Sequence, residues 1–125
     1  MNIIDSSAWL TYFAGESQAK HFHELFNDPE TLVVPTITLY EVFKVVLREA
    51  SENEALQAIA AMKKGKVVDL TQSLALSASK LSLKNKLPMA DSIILATAKL
   101  YNAIVWTLDS DFQNIDGVKY FPRNS

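Results

Sequence analysis

Cysteine is absent from this 125-residue chain, so disulfide bonds and thiolate metal sites are both excluded. That absence fits a reducing cytoplasm. Glycine (3) and proline (4) are too sparse to build a flexible joint, and no internal repeat or low-complexity tract interrupts the chain. Long apolar runs are missing too: no window approaches the roughly 20 residues that span a bilayer. The first ten residues lack the basic start and apolar stretch of a secretion signal and carry Asp5 instead. A soluble, cytoplasmic protein with no membrane partner is expected.

Charge of one sign is also scarce. Lys plus Arg number 12 and Asp plus Glu 14, a net of −2, which at face value argues against nucleic acid as a partner. The objection weakens if some acids are metal ligands. Four clustered carboxylates set aside leave ten acids against the 12 bases, and bound cations would make the acidic spot attract anions.

What is present is an ordinary globular composition, 49% hydrophobic and 21% charged, at a length that suits one domain over residues 1–125. Short apolar runs alternate with longer helical stretches. Residues 2–5 read as a first strand and residues 16–27 as a helical stretch with Phe22, Leu25 and Phe26 at helical spacing. Residues 32–34 read as a second strand, after which Thr36 caps a helix to about Ala50. Ser51-Glu52-Asn53-Glu54 matches a capping box opening a helix that Gly65 ends. Residues 67–70 are a third strand, and Thr71 starts a helix through about Lys86. Pro88 precedes a helix over residues 89–101, and residues 103–108 form a fourth strand whose continuous apolar run predicts burial on both faces. Residues 118–121 form a short fifth strand.

This alternation predicts parallel βαβ units, hence a three-layer α/β/α sandwich around a central parallel sheet. In such folds ligands bind at the carboxyl ends of the strands. Asp5 closes the first strand and Asp109 the fourth. Glu41 lies in the first turns of the helix after strand two, and Asp91 in the first turn of the helix that runs back to strand four. All four can therefore converge on one rim, although the sequence alone does not show that they do.

Each acid also has an ordinary structural role available. Asp5 suits a helix cap, Glu41 a pair with Lys44 on the stripe that includes Arg48, Asp91 the positive end of a helix dipole, and Asp109 a turn through Ser110 and Asp111. Asp91 fits its ordinary role least. The helix after it is apolar almost all round, and a charge buried at such a helix start needs a partner or a metal. Crowded carboxylates raise one another's pKa unless a cation neutralises them. Oxygen ligands without cysteine or a well-placed histidine point to a hard ion, Mg²⁺ or Mn²⁺.

The order and context of these acids resemble the PIN domain, and most closely the VapC toxins of toxin–antitoxin pairs. The matching segments are Ile3-Ile4-Asp5-Ser6-Ser7, Thr38-Leu39-Tyr40-Glu41-Val42, residues 90–98 around Asp91, and residues 105–112 around Asp109 and Asp111. The resemblance implies a metal-dependent endoribonuclease that cleaves single-stranded regions of structured RNA, leaving 5′-phosphate and 3′-hydroxyl ends. Asp5, Glu41, Asp91 and Asp109 match the acidic quartet. Asp111 matches a frequently acidic neighbour that ligates directly or through water; of the two, Asp109 is expected to be the main fourth ligand because it ends the strand. Ser6 and Thr107 match polar positions that orient the acids. A small antitoxin partner and a homodimer are family expectations.

Lys44 and Arg48 sit on the helical stripe of Glu41, where they face RNA phosphates or simply solvent. The remaining lysines, at 63, 64, 66, 80, 84 and 86, read as solvent-facing, as do His21 and His23. Trp9, Tyr12, Phe13 and Trp106 read as core. The alternative to a nuclease is a non-catalytic α/β binding module, such as a receiver-like domain with strand-end acids and Mg²⁺. That module needs an acidic pair after strand one, whereas Asp5 is followed by Ser6 and Ser7.

Overall fold

The computed structural model describes residues 1–123. Five short strands carry the architecture: β1 (Asn2–Ile4), β2 (Val33–Pro35), β3 (Lys66–Val68), β4 (Ile104–Thr107) and β5 (Val118–Tyr120). Every pairing is parallel. β1 pairs with β4 with Ile3 opposite Val105, β4 with β5 with Thr107 opposite Tyr120, and β2 with β3 with Val34 opposite Val67. A single bridge between Asn2 and Leu32 joins the two groups, giving the order β3-β2-β1-β4-β5.

Among the described residues six α-helices flank the sheet: α1 (Ser6–Phe13), α2 (His23–Phe26), α3 (Thr36–Glu49), α4 (Glu52–Met62), α5 (Gln72–Asn85) and α6 (Met89–Tyr101). Alternation along the strands decides which face each residue serves. Ile3 and Val33 point into a core shared with Leu74, Ile94 and Leu95 of α5 and α6. Ile4 and Val34 point the other way, against Trp9, Val42 and Met62 of α1, α3 and α4. The expected three layers are thus present. No helix among the described residues is long and apolar enough to cross a membrane.

Local chemistry explains most boundaries. Ser51 caps α4 by accepting from the Glu54 amide at 3.1 Å, and Thr71 caps α5 by accepting from the Leu74 amide at 3.2 Å. Lys86 ends α5 in the left-handed conformation, and α6 spans the residues predicted for it. Residues 91–98 of α6 are all buried, as its apolar surface requires.

Other expectations need correction. Residues 16–27 form a 3₁₀ turn over Ser17–Phe22 followed by the four-residue α2; neither start has a side-chain cap, and fully buried Phe22 sits at the break with φ −119°. Pro35, not Thr36, holds the cap position of α3, and its carbonyl accepts from the Thr38 hydroxyl at 2.7 Å. α4 stops at Met62. Gly65 instead lies where the chain approaches β2, and an added Cβ there would meet Val34 Cγ2 at 2.9 Å.

β4 is not buried on both faces. Val105 and Thr107 are buried, but Ile104 opens the strand at the amino edge of the sheet and is exposed. Trp106 is half-buried because its indole N–H reaches Asn2 Oδ1 at 2.9 Å and its ring supports the Lys119 ammonium. Tyr12 is exposed although its ring stacks on Phe26 at 3.9 Å. His21 is not a surface residue either. Its ring stacks on Phe121 at 4.5 Å with Nε2 buried, while His23 is exposed.

Candidate metal centre

Parallel strands bring every strand end to one rim, and the acids sit there for that reason. The Asp5 amide donates to the Trp106 carbonyl at 2.9 Å, extending the β1–β4 ladder one residue and fixing Asp5 beside the end of β4. Asp109 follows two residues after Thr107. Its carboxylate accepts from the Asp111 amide at 2.9 Å, which turns the chain into the 3₁₀ segment Ser110–Phe112 and carries Asp111 back toward the rim. α3 begins directly after β2 and delivers Glu41 in its second turn; α6 runs opposite to the strands and delivers Asp91 in its first.

Asp91, Asp109 and Asp111 each offer an oxygen within 4.8 Å of the other two, a spacing at which three carboxylates can hold a metal ion. Asp5 and Glu41 are not part of this trio, but their charges act on Asp91 together with those of Asp109 and Asp111. Asp109 and Asp111 both belong to this trio.

Hydroxyl groups fix the flanking acids. Asp5 is 3% exposed and makes no capping bond to α1. Its Oδ2 accepts from Ser7 Oγ at 2.7 Å and from Thr107 Oγ1 at 2.8 Å. Thr107 Oγ1 in turn accepts from the Asp109 amide at 2.9 Å, so one side chain positions two acids. Ser6 donates to Glu41 Oε1 at 2.6 Å. Glu41 therefore serves the rim, and Lys44 leans over the Tyr40 ring at 5.7 Å instead of pairing with it. Arg48 lies away from the acids, with its Nε bonded to Glu49 Oε1 at 2.9 Å.

Ser7 is the residue that sequence reasoning missed. It donates to Asp5, lies 3.3 Å from Thr107 Oγ1 and accepts from the Leu108 amide at 3.1 Å, tying α1 to the end of β4. The only available signal was its place two residues after Asp5, where a short hydroxyl can fold back on a preceding carboxylate.

Electrostatics show how closely the acids crowd. Burial pushes the Asp5 carboxyl up, against its two hydroxyl donors, and Asp109 adds to the rise. Burial likewise raises Glu41, with Asp5 and Asp109 contributing. Asp91 is pushed up to about 8, first by burial and then by the charges of Asp5, Asp109, Glu41 and Asp111. Burial and like charges raise carboxyl pKa values in this way, and a bound cation would relieve both. The all-oxygen donor set fits a hard divalent ion.

Comparison with known proteins bears on the family and the fold. A model of the PIN domain matches residues 3–118. A toxin–antitoxin complex from Klebsiella pneumoniae contains a chain that superposes with a TM-score of 0.81 at 27% identity, covering 95% of this chain and 96% of that one. VapC20 of Mycobacterium tuberculosis, a toxin that cleaves the sarcin–ricin loop, also superposes at 0.81, with 18% identity and coverage of 98% and 100%. The DNA-bound VapBC of Salmonella typhimurium superposes at 0.76, with 17% identity and coverage of 97% and 98%. The last two likenesses speak for fold alone. No curated protein matches the sequence.

Proposed function

Because the chain belongs to the PIN-domain family, with residues 3–118 matching, we propose that it is a metal-dependent endoribonuclease of the VapC type. It is read as a single nuclease domain over residues 1–125, acting in the cytoplasm on structured RNA. The observation that carries this reading is the convergence of Asp91, Asp109 and Asp111 within 4.8 Å.

Asp91, Asp109 and Asp111 would hold Mg²⁺ or Mn²⁺. Such an ion, when bound, supplies an acidified water and offsets the charge that builds on phosphate and leaving oxygen. The chain's own residues do the rest. Thr107 and Ser7 hold Asp5, and Ser6 holds Glu41, so neither carboxylate must reorganise during the reaction. A carboxylate of the cluster takes the proton released by the attacking water. Lys44, one turn from Glu41, and the more distant Arg48 are proposed to meet RNA phosphates along α3. The receiver-like alternative has less support, since two of the three acids within 4.8 Å of one another follow β4 rather than β1.

The structural likeness to a chain from a toxin–antitoxin complex at 27% identity supports a small antitoxin partner that blocks the rim. Homodimerisation is proposed on family grounds alone. The decisive experiment strips the protein with chelator, restores Mg²⁺ or Mn²⁺, and follows labelled structured RNA. Ion-dependent cleavage that disappears in Asp91→Asn is expected. A folded protein that cuts no RNA with either ion, or an Asp91→Asn variant at wild-type rate, overturns the reading.

A further inference from the structure

Beside the acids lies a cavity of about 360 Å³ whose lining differs in character from them: Ser7, Leu108, Asp109, Ser110, Tyr120 and Arg123. Asp109 and Ser7 belong to the rim already described. Arg123, Tyr120 and Ser110 supply a guanidinium, a phenol and a hydroxyl, groups that recognise a phosphate or sugar. The volume sits at the small end of the range for ligand pockets, about 300–1,000 Å³.

The cationic side is held in place. Thr107 and Tyr120 are opposite in the β4–β5 register, and the Phe121 amide donates to the Thr107 carbonyl at 2.9 Å. Gln18 Nε2 donates to the Pro122 carbonyl at 3.4 Å, and the Phe121 ring stacks on His21. The residue that orients Asp5 and Asp109 therefore also anchors the segment that presents Arg123. Among the described residues the sole ion pair joins Arg48 to Glu49, so the Arg123 charge is not consumed by the neighbouring aspartates.

We propose that Arg123, with Tyr120 and Ser110, forms a subsite for the phosphate and sugar of the nucleotide adjoining the scissile bond. This rests on the nuclease reading. A single RNA strand whose scissile phosphate lies at the acids has its next phosphate directly alongside, and an arginine fork binds phosphate in two-pronged fashion where an acidic rim alone would repel it. The cavity shares Asp109 with the acid trio, which makes the two seats contiguous.

The test uses the full chain and a fluorescent single-stranded RNA oligonucleotide. Binding is read by anisotropy in Ca²⁺, a hard ion for oxygen sites, and cleavage by steady-state kinetics in Mn²⁺. Arg123→Ala is expected to weaken binding and raise KM about tenfold, with kcat changed less than about twofold. The slope of log affinity against log salt should fall by about 0.7, the loss of one phosphate contact on a single strand. Arg123→Lys should recover the slope but not the whole affinity. Unchanged affinity, slope and KM in Arg123→Ala overturn the subsite. Arg123-dependent binding without any wild-type cleavage in Mn²⁺ supports the subsite while rejecting the nuclease reading.

Discussion

Thr107 donates its hydroxyl to Asp5 Oδ2 at 2.8 Å, joining positions 102 residues apart at the ends of adjacent parallel strands. The same oxygen accepts from the Asp109 amide, so removing it releases two acids at once. Thr107→Val keeps the shape of the side chain and deletes both bonds. A loss of about 1–3 kcal/mol in denaturant unfolding is expected, with RNA cleavage falling further than stability alone explains. Thr107→Ser should retain most of both. A valine variant within about 0.5 kcal/mol of wild type would show that the bond positions nothing.

Ser6 and Ser7 are adjacent yet serve different acids. Ser7→Ala removes a donor from buried Asp5 and an acceptor from the Leu108 amide, whereas Ser6→Ala removes one donor from half-buried Glu41. Ser7→Ala should therefore cost more, about 1–3 kcal/mol, in a thermal melt. Equal melting temperatures for the two variants would contradict the assignment.

Stability without metal should fall as pH rises. The Asp91 pKa in the folded chain, about 8, lies above the ordinary aspartate value of 3.8, so the native state binds more protons than the unfolded one between those values. Its contribution is greatest below about pH 4 and is lost through pH 8. Melts in chelator from pH 4 to 8 should show this decline. Saturating Mg²⁺ or Mn²⁺ should oppose it, by about 2.7 kcal/mol at a hundred times Kd. A chelated protein that grows more stable across that range would contradict the crowding of acids.

Asp91→Asn follows from the same arithmetic with the opposite sign in two assays. The amide cannot carry the charge that burial and four acids disfavour, so the metal-free variant should melt higher than wild type at pH 8. Its metal-dependent gain and its RNA cleavage should both vanish. A variant that melts lower than wild type at pH 8 in chelator would argue for a structural role instead.

A remote control separates stability from the site. Ser51 caps α4 through its bond to the Glu54 amide and takes no part in the hydrogen bonds that hold the rim acids. Ser51→Ala should cost about 1 kcal/mol while kcat for RNA stays at the wild-type value. A drop in kcat without unfolding would mean that α4 communicates with the rim.

The sequence by itself determined the layers and the rim. Apolar pairs such as Ile3-Ile4 and Val33-Val34 serve both faces of a parallel sheet, and parallel strands must end on one side, so element order allowed Asp5, Glu41, Asp91 and Asp109 to converge without showing that they do. Capping at Ser51 and Thr71 was equally legible, because a cap is a local bond between residues three apart. The break at Phe22, the exposed start of β4 and the burial of His21 were not, since each depends on what packs against the segment from a distance. The same holds within the site. Only the tertiary structure decided that Asp111 comes within 4.8 Å of Asp91 and Asp109, that Ser7 rather than Ser6 holds Asp5, and that Arg123 comes to lie beside them. Charges and hydroxyls carry no periodic signature along a chain; their partners are chosen by the folding of residues a hundred positions apart into one low-dielectric rim.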